Sequence, residues 1–171
     1  ATVSRLIDMG IEPFLVASSV EAVMAQRLVR TICPHCRVEQ TVQSDYLRQI
    51  GYLTEGTESP KFWKGAGCDT CRELGYQGRT GIYELLTLSD ELRPLVLNRA
   101  AASTIAQKAI EQGMRTLRMD GWRKTDPARI IRRPDGTLAH EPTTIEEIIR
   151  VTQSEEHLSA LMEDRYAVDA A

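Results

Sequence analysis

The sequence predicts an α/β to mainly α fold that carries a tetracysteine zinc-binding segment and continues as a run of helices. Three observations predict it. Cys33-Pro34-His35-Cys36 and Cys68-Asp69-Thr70-Cys71 form two C-x-x-C pairs that contain every cysteine of the chain. Ile82-Tyr83-Glu84-Leu85-Leu86 has the composition of a strand. From Ser89 onward, apolar residues recur at helical spacing between capping residues and glycines.

The totals suit such a fold. At 171 residues the chain is long enough for one ordinary domain or two small ones. Apolar residues make up 42% and charged residues 26%, so the chain should bury a core in water. Aromatics are only 5%, which leaves the packing to Leu, Ile, Val, Met and Ala. The net charge of −3 argues against a nonspecific polyanion binder, and four thiolates around one Zn²⁺ would make the balance more negative. No apolar run of about 18 residues occurs, so no membrane-spanning helix is expected. No signal peptide is visible, and the chain opens at Ala1 within a helical pattern, so a piece of a longer protein is expected.

Taken in order, Val3, Leu6 and Ile7 give residues 2–9 helical spacing, and Gly10 suits the helix end because glycine takes positive φ cheaply. Pro13 biases Glu12 away from helix, so 11–16 reads as an extended connection. Residues 18–30 form the clearest helical pattern. Ser18 is its N-cap, Glu21 completes a capping box, and Val20, Val23, Met24 and Leu28 share a face. Arg27 and Arg30 near its end read either as solvated cations suited to the helix dipole or as contacts to phosphate or a neighbouring subunit. Residues 44–52 read as a short helix with Leu47 and Ile50 inward, and 53–60 as a loop. Residues 61–67 lead into the second cysteine pair, with glycines that permit a tight knuckle and with Phe62 and Trp63 expected over the metal. The glycines of 75–81 mark a constrained turn. Helices are expected from Ser89, with Pro94 in the first turn, over 103–112 and over 116–124. Turn chemistry around Arg132-Arg133-Pro134-Asp135-Gly136-Thr137 makes 125–142 a hairpin or ordered loop. Thr144 and Glu147 form a capping box that opens another helix, and 154–165 reads as a last, looser one.

A C-x-x-C knuckle folds back so that two thiolates face one ion at about 2.3 Å, and a second knuckle closes the tetrahedron. Cys33, Cys36, Cys68 and Cys71 are therefore the expected Zn²⁺ ligands. Such a closed site has no open position for water or substrate, so the zinc is expected to be structural. His35 is expected to point outward, since the four cysteines fill the site, and His140 and His157 have no cluster around them. Disulfides are the competing use of the thiols, but secreted disulfide scaffolds are usually shorter and denser in cysteine. Glu146 and Glu147 read as capping and helix-surface charge.

Several stretches together resemble a known family. They are Arg5-Leu6-Ile7-Asp8-Met9-Gly10-Ile11-Glu12-Pro13-Phe14-Leu15-Val16, Ala25-Gln26-Arg27-Leu28-Val29-Arg30, the cysteine pairs, Gly75-Tyr76-Gln77-Gly78-Arg79-Thr80-Gly81-Ile82-Tyr83-Glu84-Leu85, Gln112-Gly113-Met114-Arg115-Thr116-Leu117 and Thr143-Thr144-Ile145-Glu146-Glu147. Their order is similar to the C-terminal region of the type II secretion system ATPases, the E-protein family of the general secretory pathway. Type IV pilus assembly ATPases are close relatives. The resemblance covers about 2–152. It implies a cytoplasmic, hexameric, RecA-like motor, held at the inner membrane by platform proteins, that uses ATP and Mg²⁺ to drive pseudopilus assembly and protein export. The family's phosphate-binding loop, acidic boxes and histidine box are expected upstream of Ala1. The pattern G-x-x-x-x-G-K-[ST] does not occur here, so this stretch is expected not to hydrolyse ATP alone.

The resemblance divides the chain into the end of a RecA-like core at 1–32, a zinc subdomain at 33–72, a return to the core at 73–88, and a helical domain at 89–171. Residues 125–142 look like an insertion relative to the family. By the same resemblance, Arg79 is the best candidate to approach a nucleotide phosphate where subunits meet, because guanidinium binds phosphate oxygens bidentately. An ordinary salt bridge is the alternative. The run Gly81-Ile82-Tyr83-Glu84-Leu85-Leu86 followed by Leu88-Ser89-Asp90-Glu91 looks more like the secretion branch than the pilus branch.

Two other function classes compete. A zinc-ribbon nucleic-acid module needs a basic surface. Arg30, Arg37 and Lys64 near the knuckles are compatible with one, but equally with partners for a negative Cys₄ site, and no nucleic acid is expected. A thiol–disulfide oxidoreductase would use Cys33-Pro34-His35-Cys36, yet the βαβ setting is missing and the second pair is left without purpose.

Overall fold

The computed structural model describes residues 2–52 and 61–153. In chain order these form α1 (Thr2–Asp8), α2 (Pro13–Ser19), β1 (Ala22–Ile32), β2 (Arg37–Gln40), α3 (Ser44–Gln49), β3 (Phe62–Gly65), β4 (Tyr76–Thr87), α4 (Arg93–Leu97), α5 (Ala102–Glu111), α6 (Leu117–Arg123) and α7 (Ile145–Thr152), with 3₁₀ turns at Asp69–Cys71 and Pro127–Arg129. The fold is mixed α/β. It comprises two compact units, one of Ala1–Arg27 with Ile82–Asp120, the other of Leu28–Gly81 with the chain from Gly121 onward. β1 pairs with β4 and β2 with β3, and the long strands β1 and β4 contribute residues to both units.

The first unit is held by aliphatic packing. Val3 of α1, Val16 and Ala17 of α2, Leu88, Leu92 and Val96 around α4, and Ile105 and Ala109 of α5 form one buried cluster. The carbonyl of Ala17, in the last turn of α2, accepts from the Arg93 guanidinium, which also pairs with Glu21 at 3.2 Å. That arginine satisfies an orphan helix-end carbonyl and suits the negative end of the helix dipole. Two carboxylates fasten α6 within the unit: Glu84 accepts from Leu117 N at 3.1 Å and Asp120 from Tyr83 N at 3.0 Å.

Here the structure corrects the sequence reading twice. Residues 18–30 are not a helix: α2 ends at Ser19 and β1 follows. Burial along β1 alternates, with Val23, Ala25 and Val29 turned inward, while Met24 and Leu28 are exposed. Val20, Val23, Val29, Thr31 and Ile32 are β-branched, and such side chains fit a pleated surface better than a helix. The segment expected to be extended, 11–16, instead enters α2, with Pro13 at its first position, where the missing N–H costs nothing. Glu12 before it does keep the extended backbone that a following proline favours.

The second unit mixes apolar and polar fastening. β2 and β3 pair antiparallel with Arg37 opposite Gly65 and Gln40 opposite Phe62. Phe62 is buried and meets Tyr52 edge-on at 5.2 Å between centroids, and Tyr52 in turn contacts Trp122 at 5.3 Å. Trp63 lies under the Arg37 guanidinium at 5.0 Å. Phe62 thus belongs to the aromatic packing and Trp63 to a cation–π pair, so the expectation that both cover the cysteines is replaced. Gly121 lets α6 approach α7, since a Cβ there would lie 2.7 Å from Ile148 Cγ2. Residues 76–81, expected as a turn, are the first half of β4, where Thr31 Oγ1 donates to the Gln77 carbonyl at 2.6 Å.

Other expectations hold. α3, α5 and α6 occupy the expected stretches, and Pro94 sits in the first turn of α4. Residues 132–138 form a short antiparallel bridge closed by Gly136 N donating to Arg133 O. Arg132 donates to Gly136 O, and Arg133 to Leu138 O and Ala139 O, so both arginines serve the loop itself. Thr144 caps α7, its hydroxyl accepting from Glu147 N at 3.2 Å. The helix expected over 154–165 lies outside the described residues.

Candidate metal centre

Each knuckle is positioned by a strand end and a tight turn. β1 delivers Cys33, whose N–H donates to the Gly75 carbonyl at 3.0 Å, and Cys36 immediately precedes β2. Cys68 opens the 3₁₀ turn that ends at Cys71, and Arg72 and Glu73 follow with left-handed φ of 54° and 61°. Gly65 and Gly75 are why the two knuckles can meet. A Cβ on Gly65 would sit 2.0 Å from Gly75 O, and one on Gly75 would sit 2.7 Å from Gly65 O. Only two residues without side chains permit that backbone approach.

The four sulfurs lie within 4.8 Å of one another. The Cys33–Cys68 separation is 3.9 Å, Cys36–Cys71 3.8 Å and Cys68–Cys71 3.7 Å. A tetrahedron with metal–sulfur bonds of about 2.3 Å has edges of about 3.8 Å, so these donors fit a tetrahedral thiophilic ion without rearrangement. They are far beyond disulfide bonding distance of about 2.05 Å, and all four are free thiols. Cys33, Cys36 and Cys71 are buried and Cys68 is half-buried. His35 is exposed, as expected.

The surrounding backbone favours sulfur as an anion. Gly75 N donates to Cys71 Sγ at 3.2 Å and Cys68 N donates to it at 3.3 Å. Burial pushes the Cys71 thiol up, but these N–H donors and the neighbouring thiols outweigh it and bring the pKa down to about 7. Cys36 is pushed up to about 12, chiefly by burial, against an opposing N–H from Gly67. A thiophilic cation would displace the remaining protons. The Gln77 carboxamide lies 3.6 Å from Cys33 Sγ and completes the surround.

The arginines take different places. Arg30 is on β1, where its guanidinium donates to Glu147 at 2.7 and 3.1 Å and its backbone N–H donates to the same carboxylate at 3.0 Å. Arg150 donates to Glu147 at 2.8 and 3.0 Å. The Arg30 guanidinium also stacks 4.2 Å from the centroid of the Tyr76 ring. Arg37 pairs with Glu141 at 2.8 Å. Arg27 is exposed and donates to its neighbour's carbonyl, Gln26 O, at 2.9 Å. Arg79 is exposed on β4 and makes no ion pair among the described residues.

Glu147 was missed as a structural residue. It is not surface charge, because its side chain is fully buried. Burial pushes its carboxyl up, but donors from Arg150 and Arg30 more than offset this and hold it at about 2. The carboxylate therefore does not close the capping box back onto Thr144. The available signal was Arg150 three residues on, which shares its side of α7.

The sequence profile described as type II/IV secretion system protein matches residues 1–150. Type II secretion system protein HxcR of Pseudomonas aeruginosa is 41% identical over 153 residues, covering 90% of this chain and 26% of that protein. Type II secretion system protein E of the same organism is 37% identical, covering 90% and 27%. Type IV pilus assembly ATPase PilB of Myxococcus xanthus is 43% identical over 124 residues, covering 72% and 22%. The chain thus spans about a quarter of the length of these relatives. No helix among the described residues is long and apolar enough to cross a membrane. With a profile match over most of its length and relatives above a third identity, the chain belongs to the type II/IV secretion system protein family.

Proposed function

We propose that this chain is the zinc-bearing C-terminal part of a hexameric secretion ATPase that powers pseudopilus assembly and protein export across the outer membrane. The observation that carries the reading is the family match over residues 1–150, joined to four sulfurs set at tetrahedral spacing. Cys33, Cys36, Cys68 and Cys71 would hold Zn²⁺, which supplies a cross-link and no reaction. In this reading 1–32 and 73–88 end a RecA-like core, 33–72 is the metal subdomain and 89–171 a helical domain with its inserted loop at 125–142. The compact packing units cut across that functional division. ATP and Mg²⁺ act in the longer protein, and this stretch alone does not hydrolyse ATP. Its partners are copies of itself and inner-membrane platform proteins, which keep a cytoplasmic motor at the membrane.

Arg79 is the residue assigned to nucleotide phosphate or a subunit contact, since it is exposed and makes no ion pair among the described residues. Arg27 is a weaker candidate, and Arg30 is already engaged by Glu147. Two measurements test the assignment. Metal analysis of the purified chain should give one zinc per chain, and no metal with four reactive thiols would overturn the zinc. In a full-length secretion ATPase containing this stretch, Arg79→Ala should cut ATP turnover at least tenfold and Arg27→Ala less, with zinc content unchanged. Unaltered turnover in Arg79→Ala would remove Arg79 from the nucleotide site. A role in type IV pilus assembly is the second reading, favoured by the 43% identity to the Myxococcus xanthus pilus ATPase.

A further inference from the structure

We infer that metal loading and the seating of α7 are one coupled event, so that loss of the metal releases the helix. The inference rests on the proposed zinc reading and goes beyond it. Its basis is where residues 141–147 are anchored. Glu141 pairs with Arg37, the residue after Cys36. Pro142 O accepts from Ile32 N at 2.8 Å, the residue before Cys33. Thr143 Oγ1 donates to Arg30 O at 2.7 Å, and Glu147 takes the Arg30 N–H and guanidinium. Thr144 and the Tyr76 hydroxyl bond at 2.9 Å, and Tyr76 follows Gly75, which donates to Cys71 Sγ. These anchors land within three residues of Cys33 or Cys36, or on Tyr76 beside Gly75, whereas Thr143 N is held separately by Lys124 O at 2.9 Å. Gln77 closes the circuit, its carbonyl accepting from Thr31 and its carboxamide facing Cys33.

The energetics give this arrangement a threshold. Glu147 is a fully buried carboxylate whose charge is tolerated because Arg30 and Arg150 meet it. If the end of β1 moves when the knuckles open, Arg30 leaves and a half-neutralised buried charge remains, which is strongly unfavourable. Arg150 alone then faces the buried carboxylate, and the seating of α7 loses part of its stabilisation. Binding linkage makes the effect reciprocal: the factor by which bound metal favours the seated helix equals the factor by which seating raises metal affinity.

Zinc content, measured first, separates the two proposals. A chain that takes up no zinc overturns the metal reading and this one with it. For the zinc-loaded chain, hydrogen exchange at Ile145–Thr152 is followed while a chelator removes the ion. Amide protection in α7 should fall at least about tenfold in step with zinc loss, while α5 keeps its protection. Zinc lost with α7 protection unchanged overturns the coupling. Arg150→Ala gives the reciprocal arm, since Arg150 is distant in sequence from every cysteine and Arg30 can still hold Glu147. That variant should keep one zinc per chain but yield it to a chelator at several-fold lower concentration. Tyr76→Phe, which removes only a hydroxyl, should do the same to a smaller degree. Chelator midpoints equal to that of the parent chain in both variants overturn the proposal.

Discussion

The two units of this molecule are stabilised by opposite means. The first rests on short aliphatic side chains from α1, α2, α4 and α5, and its ion pairs lie at the surface. The second also buries apolar side chains, among them Val29, Ile32, Leu47, Phe62, Trp122 and Ile148, but adds directional links between distant parts of the chain: four thiols, a carboxylate shared by two arginines, and hydroxyl bonds. Aliphatic packing is non-directional and tolerates substitution of similar volume. Metal and buried-ion fastening is exacting, because losing one partner leaves the others uncompensated. The first unit should therefore weaken by degrees, and the second should fail abruptly.

On the proposed zinc reading, the largest expected effect is metal removal. Cys71→Ser, or exhaustive chelation, should abolish amide protection across Arg37–Gln40 and Phe62–Gly65 while leaving α2, α4 and α5 protected. Structural zinc contributes to folding directly, so the loss should be complete within the second unit. Equal loss in both units would erase the distinction between them. Leu92→Ala is the counterpart, removing a side chain with no exposure from the aliphatic cluster at a cost of about 3 kcal/mol. Trp63 and Trp122, the only tryptophans, both lie in the second unit. In urea, Leu92→Ala should lower the midpoint seen by circular dichroism and leave that seen by tryptophan fluorescence in place. Coincident shifts would show a single cooperative unit.

The contrast also decides what was legible in the sequence. Local signals read well. The spacing of Cys33, Cys36, Cys68 and Cys71 announced their convergence, Thr144 announced the start of α7, and the Pro-Asp-Gly turn announced the bridge at 132–138. Residues 18–30 read poorly because Val20, Val23, Met24 and Leu28 satisfy a helical period by coincidence. The strand they form is decided by β4, far along the chain, and no local signal reports such a partner. Glu147 was legible only in part, because Arg150 lay three residues on but its other partner did not. A carboxylate at the third position of a helix ordinarily completes a cap, and only Arg30, 117 residues away in sequence, turns it into the centre of a buried cluster. The role of Gly65 is likewise visible only once Gly75 lies against it.

Glu147→Gln tests the exacting character of the second unit without touching the cysteine cluster. Both arginines keep outer faces in water, with side chains 47% and 60% exposed, so the cost should be about 2 kcal/mol, below that of breaking a fully buried pair. The pH dependence follows from the carboxyl being depressed from 4.5 to about 2 in the folded chain. Its stabilisation is fully present above the ordinary value and is lost as pH falls from about 4.5 toward 2. The parent chain should lose its advantage over Glu147→Gln across that window. A constant difference in urea midpoint from pH 6 to pH 3 would mean that the carboxylate charge contributes nothing.

Thr144→Ala carries the smallest effect and separates local from long-range fastening of α7. The hydroxyl both accepts from Glu147 N at 3.2 Å and bonds the Tyr76 hydroxyl at 2.9 Å. Removing a helix cap alone costs about 1 kcal/mol. Were the cap the whole of the contribution, Thr144→Ala and Tyr76→Phe would add independently. If the hydroxyl pair ties α7 to β4, the double variant should be less destabilised than the sum by about 0.5 kcal/mol or more, because either change breaks the same bond. Thr144→Ser keeps both bonds and should restore most of the loss. An additive cycle would confine Thr144 to capping and leave the Arg30–Glu147–Arg150 cluster as the tie that holds α7.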